Sequence, residues 1–274
     1  MIRRAEVRRK ASERGVPERS IEHDYCLSWL LIAIGSDDFL LERLVLKGGT
    51  CLRKVYFPEW RYSDDLDFTA FRSVEPARLV EGLARACSTL RDEAGIYARV
   101  EMVPPDPGQT VSCEVAYVGP LQRTGQPGRI KIDISVDEIV LTSPVLRGIL
   151  LEYSDQVGLA ASVHVYTLEE ILAEKIRSML QRTEPRDLYD AWRILEEPPE
   201  DFSIDDLQEM VVEKCIRRGL RFEGFRDLFN KERMLRFRRS WDERLRHQIA
   251  DLPAFEKVER KIRRRLRGIA ESAS

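Results

Sequence analysis

A short stretch, residues 44–68, constrains this chain more than anything else in it. Leu44, Val45 and Leu46 read as an apolar strand that runs into a tight Gly48-Gly49-Thr50 turn, followed by a helical segment from Cys51 to Tyr56. Downstream, Asp65 and Asp67 alternate with Leu66 and Phe68. Side chains two apart in a strand share a face, so the two carboxylates point one way while Leu66 and Phe68 point into a core. Two aligned carboxylates repel each other unless something positive lies between them. A divalent cation is the common remedy, and hard oxygen ligands suit magnesium bound together with phosphates. The glycines let the backbone come close to a phosphate, and the helix N-terminus behind them offers N–H donors to an anion. Lys47 is either a phosphate contact or a solvated strand end. Ser63 either touches a phosphate or is an ordinary turn serine. The stretch as a whole reads as a site for a nucleoside triphosphate and its metal.

The rest of the chain fits a soluble enzyme of the reducing cytoplasm. Its 274 residues can bury a substantial core, and 43% hydrophobic with 34% charged residues argues against disorder. The longest apolar run, Leu27 to Ile34, is too short to span a bilayer, and the basic start MIRRAEVRRK has no apolar segment of a secretory signal. Five scattered cysteines (26, 51, 87, 113, 215) contain no C-x-x-C pair, which argues against disulfides and zinc. Three isolated histidines (23, 164, 247) read as structural or surface residues.

Strand and helix signals follow one another in a definite order. A basic arm over residues 1–16 precedes an amphipathic helix from about Pro17 to Ile34, with Pro17 at its first turn. Strand 44–48, helix 49–56 and strand 64–70 carry the first motif. A helix from about Pro76 to Asp92 leads through Gly95 to a strand near 96–103. PPDPG (104–108) reads as a turn, and QRTGQPGR (122–129) as a hairpin-like connection between strands 110–117 and 129–136. An irregular stretch and a short strand near 161–166 complete the first part. From Thr167 onward the pattern is helical, with breaks at Glu184-Pro185, Pro198-Pro199 and Leu252-Pro253. Strands first and helices afterwards imply an α+β protein: a mixed-sheet domain over 17–166, then a helical domain over 167–274.

A third carboxylate is sought on the strand around Asp133, where Ile130, Ile132, Ile134 and Val136 alternate with Arg129, Lys131, Asp133 and Ser135. Asp133 lies on the polar face, beside the Asp-x-Asp strand if the two pair. Glu114 is a geometric rival, and an Asp133 merely paired with Lys131 or Arg129 is the bland alternative. Farther on, Thr167-Leu168-Glu169-Glu170 is a capping box that starts a helix. Lys175 falls within its apolar stripe of Leu168, Ile171, Leu172, Ile176 and Met179, away from a polar back of Glu170, Glu174 and Arg177. Such a lysine either snorkels to water or directs its ammonium at a phosphate, and methionine in its place should leave stability intact. Asp187, near the start of the next helix, suits the helix dipole; Arg186 and Asp190 read as surface or helix–helix partners. Residues 217–267 hold 18 Lys/Arg against 8 Asp/Glu, a basic segment in a chain whose formal net charge is only −2. Arg263, Arg264 and Arg265 within it either meet the phosphates of an RNA or form a solvated helix face.

These residues resemble the AbiEii/AbiGii family of nucleotidyltransferase-like toxins, which includes the MenT toxins and lies within the DNA polymerase β-type nucleotidyltransferase superfamily. The likeness rests on KGGTCLRK through RYSDDLDF and on LEEILAEKIRSMLQRTEPRDLYDAWRIL (168–195), and spans roughly residues 20–196. It implies a magnesium-dependent enzyme, with two metals at Asp65, Asp67 and Asp133 and phosphate held by Lys47, Gly48, Gly49, Thr50 and Ser63. Asp133 would help activate the attacking hydroxyl. It also implies functional roles for Lys175, as an essential lysine of this helix, and for Asp187. The expected activity is nucleotide transfer from an NTP to the 3′ end of tRNA, as a toxin with a cognate antitoxin. Two other classes stay open: a nucleotidyl- or phosphotransferase acting on a protein or a small molecule such as an antibiotic, and a non-enzymatic binding protein on the same scaffold.

Overall fold

A computed structural model describes residues 1–72, 74–102, 110–123 and 125–272. It divides into two compact units, Met1–Val140 with Pro144–Tyr166, and Leu141–Ser143 with Thr167–Ser274. The first unit runs α1 (Arg4–Arg14), α2 (Glu18–Ser36), α3 (Asp38–Leu41), β1 (Leu44–Lys47) and α4 (Gly48–Cys51), which continues into a π-helical turn over Leu52–Tyr56. It goes on with β2 (Asp65–Ala70), α5 (Pro76–Ala94), β3 (Tyr97–Met102), β4 (Thr110–Val118), β5 (Gly128–Ser135), β6 (Val145–Gly148) and β7 (Ser162–Val165).

The seven strands form one mixed sheet in the order β3-β4-β5-β2-β1-β7-β6. β2 pairs parallel with β5 and β1 parallel with β7; the other neighbours are antiparallel. Leu66, Phe68, Ile130, Ile132 and Ile134 are all buried, so the period-two alternation of the sequence becomes one apolar face. The helices α2 and α5 pack against each other, and α5 lies along β3 while α2 reaches β5 and β7. Helix α5 starts with Pro76 in its first turn and stops at Gly95, whose left-handed conformation caps it. Leu79, Leu83, Ala86, Leu90 and Ala94 are its buried side.

Several elements depart from the sequence reading. Helix α2 is not amphipathic: 13 of its residues are buried, Glu22 and Asp24 among them. The segment read as a basic arm is largely helix α1, closed by left-handed Gly15, with Val7 and Ala11 buried. Strand β6 went unforeseen because it is four residues long, lies at the sheet edge and exposes most of its side chains, so no alternation marks it. The PPDPG turn lies outside the described residues. The connection over 122–129 does join an antiparallel pair, with registers running from Thr110↔Ser135 to Tyr117↔Gly128. All five cysteines are buried and unbridged.

The second unit contains α6 (Leu168–Gln181), α7 (Pro185–Glu196), α8 (Leu207–Arg217), a 3-10 turn (Phe225–Phe229), α9 (Lys231–Leu245) and α10 (Phe255–Ser272). Helix α6 packs against both α7 and α8, and α7 also meets α9 and α10. The Thr167 hydroxyl accepts the Glu170 N–H at 3.2 Å, one half of the capping box. The reciprocal half is replaced: the Glu170 carboxylate accepts from the backbone N–H groups of Leu141 and Thr142 and lies 2.6 Å from Lys214 Nζ. The polar back of α6 is therefore not solvated. With α8 against it, Glu170 and Arg177 are buried. No helix among the described residues is long and apolar enough to cross a membrane.

Glu170 and Lys214 have fully buried side chains, so neither can turn to water if the other is removed. Lys214→Met should lower unfolding stability by about 3–5 kcal/mol, the usual cost of stranding one buried charge, and the double change Glu170→Gln with Lys214→Met should recover part of it. Urea denaturation of the two variants measures both effects.

Candidate active site

Strand β2 lies between β1 and β5, and its registers bring the polar side chains into rows. Lys47 of β1 is the partner of Asp67, Asp67 of Asp133, and Asp133 of Ser112 on β4. In the neighbouring row Asp65 partners Lys131, which partners Glu114, which partners Glu101 on β3. Register neighbours project to the same side of a sheet, so Asp65, Asp67, Lys131 and Asp133 share the face opposite the Leu66 and Ile132 side chains.

Of the two rivals for third carboxylate, the structure places Asp133 beside Asp67. Glu114 sits one strand farther out, where Arg129 holds it at 2.7 Å and also bridges Glu101. Asp133 nevertheless has partners of its own. Its Oδ1 accepts the Ser112 hydroxyl at 2.6 Å, and its Oδ2 accepts Lys131 Nζ at 2.7 Å. The hydrogen bond to Asp133, with the fields of Asp133, Asp65 and Asp67 behind it, raises the Lys131 pKa above its ordinary value against a smaller opposing effect of burial. The ammonium is thus fixed in its charged form within a group of three carboxylates.

The glycine turn is built around these acids. Gly48 has a φ of +76°, and a Cβ there would come within 2.6 Å of Asp67 Oδ2, so only glycine allows both the backbone and the carboxylate their places. A Cβ at Gly49 would come 2.7 Å from an Arg61 guanidinium nitrogen and 3.0 Å from Ser63 Oγ. Ser63 therefore does face the turn. Buried Arg61 faces it too, and nothing in the WRYSDD string had marked it. The Thr50 hydroxyl is buried and donates to the Asp65 carbonyl at 2.6 Å, tying the helix to the start of β2. Lys47 is no solvated strand end. It is buried, 3.9 Å from Glu138 and over the Tyr166 ring. His23 is structural, with Nε2 2.9 Å from the Asp64 carbonyl.

Just after the turn in sequence lies a charged platform. Arg53 and Lys54, in the π-helical turn, both bind Asp24 of α2, at 2.9 and 2.6 Å, and Tyr153 donates to the same carboxylate at 2.7 Å. Burial would raise the Asp24 pKa, but Arg53 and Lys54 outweigh it and hold the group well below the usual carboxylate range.

The donor set suits a hard divalent cation: Asp65, Asp67 and Asp133 offer only oxygen, on adjacent strands, against a turn shaped for one of them. Their carboxylates do not converge as they stand. Among the described residues no three acidic, histidine or cysteine side chains meet as ligands, and Asp133 is turned toward Lys131 and Ser112.

The second unit holds Lys175 and Asp187 in an ion cluster of its own. Lys175 Nζ lies 3.0 Å from Asp187 and 2.9 Å from Asp190, and Arg182 meets Asp187 at 2.9 Å. Lys175 does not snorkel, because 8% of it is exposed and its ammonium points inward. Asp190 is a helix–helix partner and not a surface residue, since it is fully buried. Burial alone would raise the Asp187 pKa; Lys175 and Arg182 reverse this and lower it. In α10, Arg263 binds Glu259 and stacks over the Phe229 ring, and Arg265 lies 3.5 Å from Glu196. Arg264 is exposed, as are Arg260 and Arg267, which line a groove with it along this helix.

The family model described as nucleotidyl transferase AbiEii toxin, type IV toxin–antitoxin system, matches residues 29–264. Among solved structures, the chain is similar to MenT4, a nucleotidyltransferase toxin from Mycobacterium tuberculosis H37Rv, with a TM-score of 0.70 at 21% identity over 99% of this chain and 90% of that one. It is also similar to JHP933 from Helicobacter pylori, with a TM-score of 0.60 at 16% identity over 94% of each chain. At these identities the likeness concerns the fold. A search of curated proteins finds no match.

Two substitutions test the local geometry. Gly48→Ala forces a left-handed alanine against Asp67 and should cost at least about 1–2 kcal/mol, with a disproportionate loss of whatever activity Asp67 supports; a melting curve and an activity assay on one preparation separate the two. Lys175→Met, contrary to the sequence expectation, should destabilise by about 3–5 kcal/mol because it removes the one cation shown to bind both buried Asp187 and Asp190, leaving Arg182 on Asp187. A melting temperature equal to wild type would contradict the pairing.

Proposed function

The chain belongs to the AbiEii family of type IV toxin–antitoxin nucleotidyltransferase toxins, and from that premise we propose that it transfers a nucleotide from a magnesium-bound NTP to the 3′ end of a tRNA and so blocks translation. The observation that carries the reading is the row Lys47–Asp67–Asp133, with Gly48 packed against Asp67 and Asp65 one position along the same face. Bound magnesium would screen the charge that builds on the α-phosphate and on the departing pyrophosphate.

The chain's own residues do the rest. Gly48 and Gly49 let the backbone reach the phosphates, and Ser63 and Arg61 stand beside that turn as donors. Asp65 and Asp67 would ligate the metal. Asp133, once parted from Lys131, would accept the proton of the acceptor's terminal hydroxyl as its oxygen bonds to the α-phosphorus. The bond from that phosphorus to the bridging oxygen breaks, and pyrophosphate leaves with the electron pair. Lys175 and Asp187 enter through the resemblance, which implies functional roles for both; they form an ion cluster in the second unit. Exposed Arg260, Arg264 and Arg267 would supply phosphate contacts for RNA in place of Arg263 and Arg265, which are already engaged. A cognate antitoxin in the same cytoplasm would restrain the activity.

The test is direct. Purified protein is incubated with each α-labelled triphosphate, magnesium and total tRNA. Wild type should label tRNA, while Asp67→Ala and Asp65→Ala should retain the fold and lose labelling by at least about a thousandfold, as expected when metal ligands of a phosphoryl transfer are removed. Label on a protein or small molecule with none on tRNA would transfer the reading to another acceptor. Full labelling by both variants would remove these carboxylates from the chemistry.

A further inference from the structure

Lys131 neither binds the substrate nor ligates the metal in the chemistry described above, yet it stands among carboxylates on the sheet. It stands between Asp65 on β2 and Glu114 on β4 in register, and its ammonium binds Asp133 two residues along its own strand. With Asp67 the register partner of Asp133, one lysine lies among three of the carboxylates that the nucleotidyltransferase reading makes metal ligands. The side chain is 48% exposed, and the carboxylate it binds is 25% exposed. A long, partly solvated lysine stem can swing aside at little cost, unlike the buried charges of the Asp24 platform.

We propose that Lys131 is a resident counter-cation of this carboxylate group, which offsets part of its charge in the metal-free protein and must leave Asp133 before a divalent cation can be held. The proposal rests on the reading of Asp65, Asp67 and Asp133 as metal ligands. It explains two features at once. Three carboxylates on adjacent strands would destabilise the empty protein by mutual repulsion, and a positive charge among them reduces that penalty. It also accounts for the placement of the Asp133 carboxylate, whose Oδ2 accepts the Lys131 ammonium. Glu114 then has a role other than third ligand. As register partner of Lys131 on the side away from the metal, it offers the departing ammonium a second carboxylate. Entry of a metal becomes an exchange of one cation for another, so metal affinity is set below what the three acids alone would give.

Calorimetric titration of the full chain with Mn²⁺, without nucleotide, tests this on wild type, Lys131→Gln, Lys131→Arg and Asp67→Asn. Lys131→Gln should bind Mn²⁺ on the order of tenfold more tightly, the effect of removing one screened positive charge beside the ion. Lys131→Arg, which keeps the charge, should stay near wild type, and Asp67→Asn should lose the binding. Melting curves give a second reading: Lys131→Gln should melt below wild type in EDTA and gain more from Mn²⁺. Binding that Asp67→Asn abolishes but that is no tighter in Lys131→Gln would overturn the proposal and leave the metal site standing. No binding sensitive to Asp67→Asn in any of these proteins would overturn the proposal and the metal site together.

Discussion

The pairing of β2 between β1 and β5 is the constraint on which the candidate chemistry hangs. A slip of one residue in either ladder would send Asp65 and Asp67 to the apolar face and Leu66 and Phe68 to the polar one. The burial of Leu66, Phe68, Ile130, Ile132 and Ile134 forbids that slip, because each slipped side chain would exchange a packed apolar neighbour for a carboxylate. Alignment of the acids is therefore a consequence of the core beneath them. Thr50 and Gly48 lock the same strand from the turn side, one through the Asp65 carbonyl and one through contact with Asp67.

Charge buried at the joins between elements is the second recurring device. Asp24 with Arg53 and Lys54 ties α2 to the π-helical turn that follows the glycines. Glu170 with Lys214 ties α6 to α8, and Lys175 with Asp187 and Asp190 ties α6 to α7. Pairs of this kind add little net stability over apolar residues, but each accepts only one relative placement of its helices. This platform anchors the segment just after Gly48, Gly49 and Thr50, which shape the turn. A π-helical turn, uncommon in itself and frequent at functional sites, follows those residues here.

The carboxylate group on the sheet obeys the opposite rule. Lys131 and Asp133, two apart on one strand, form an ion pair that is partly exposed, at 48% and 25%. On the proposed reading of these acids as metal ligands, a site that admits and releases a cation cannot be as tightly closed as the Asp24 platform. The molecule separates the two demands: rigid, desolvated pairs fix the backbone, and a looser pair leaves Asp133 able to change partners.

The sequence by itself determined the alternation that sets Asp65, Asp67 and Asp133 on polar faces, the glycine turn, the α+β order and the family, because each is written in local periodicity or in a contiguous string. The start of α6 and the break before α7 were legible for the same reason, through Thr167 and Pro185. What only the tertiary structure decided was partnership. Spacing could not choose Asp133 over Glu114, since both lie on polar strand faces and only the strand order makes one of them adjacent to Asp67. Nor could it show that Asp24, Glu170 and Asp190 are buried, or which carboxylates Lys175 meets, because a charged residue on a helix looks solvated until another helix with the opposite charge is placed against it. Partners such as Asp24 and Arg53, 29 residues apart, meet only when the chain has folded around them.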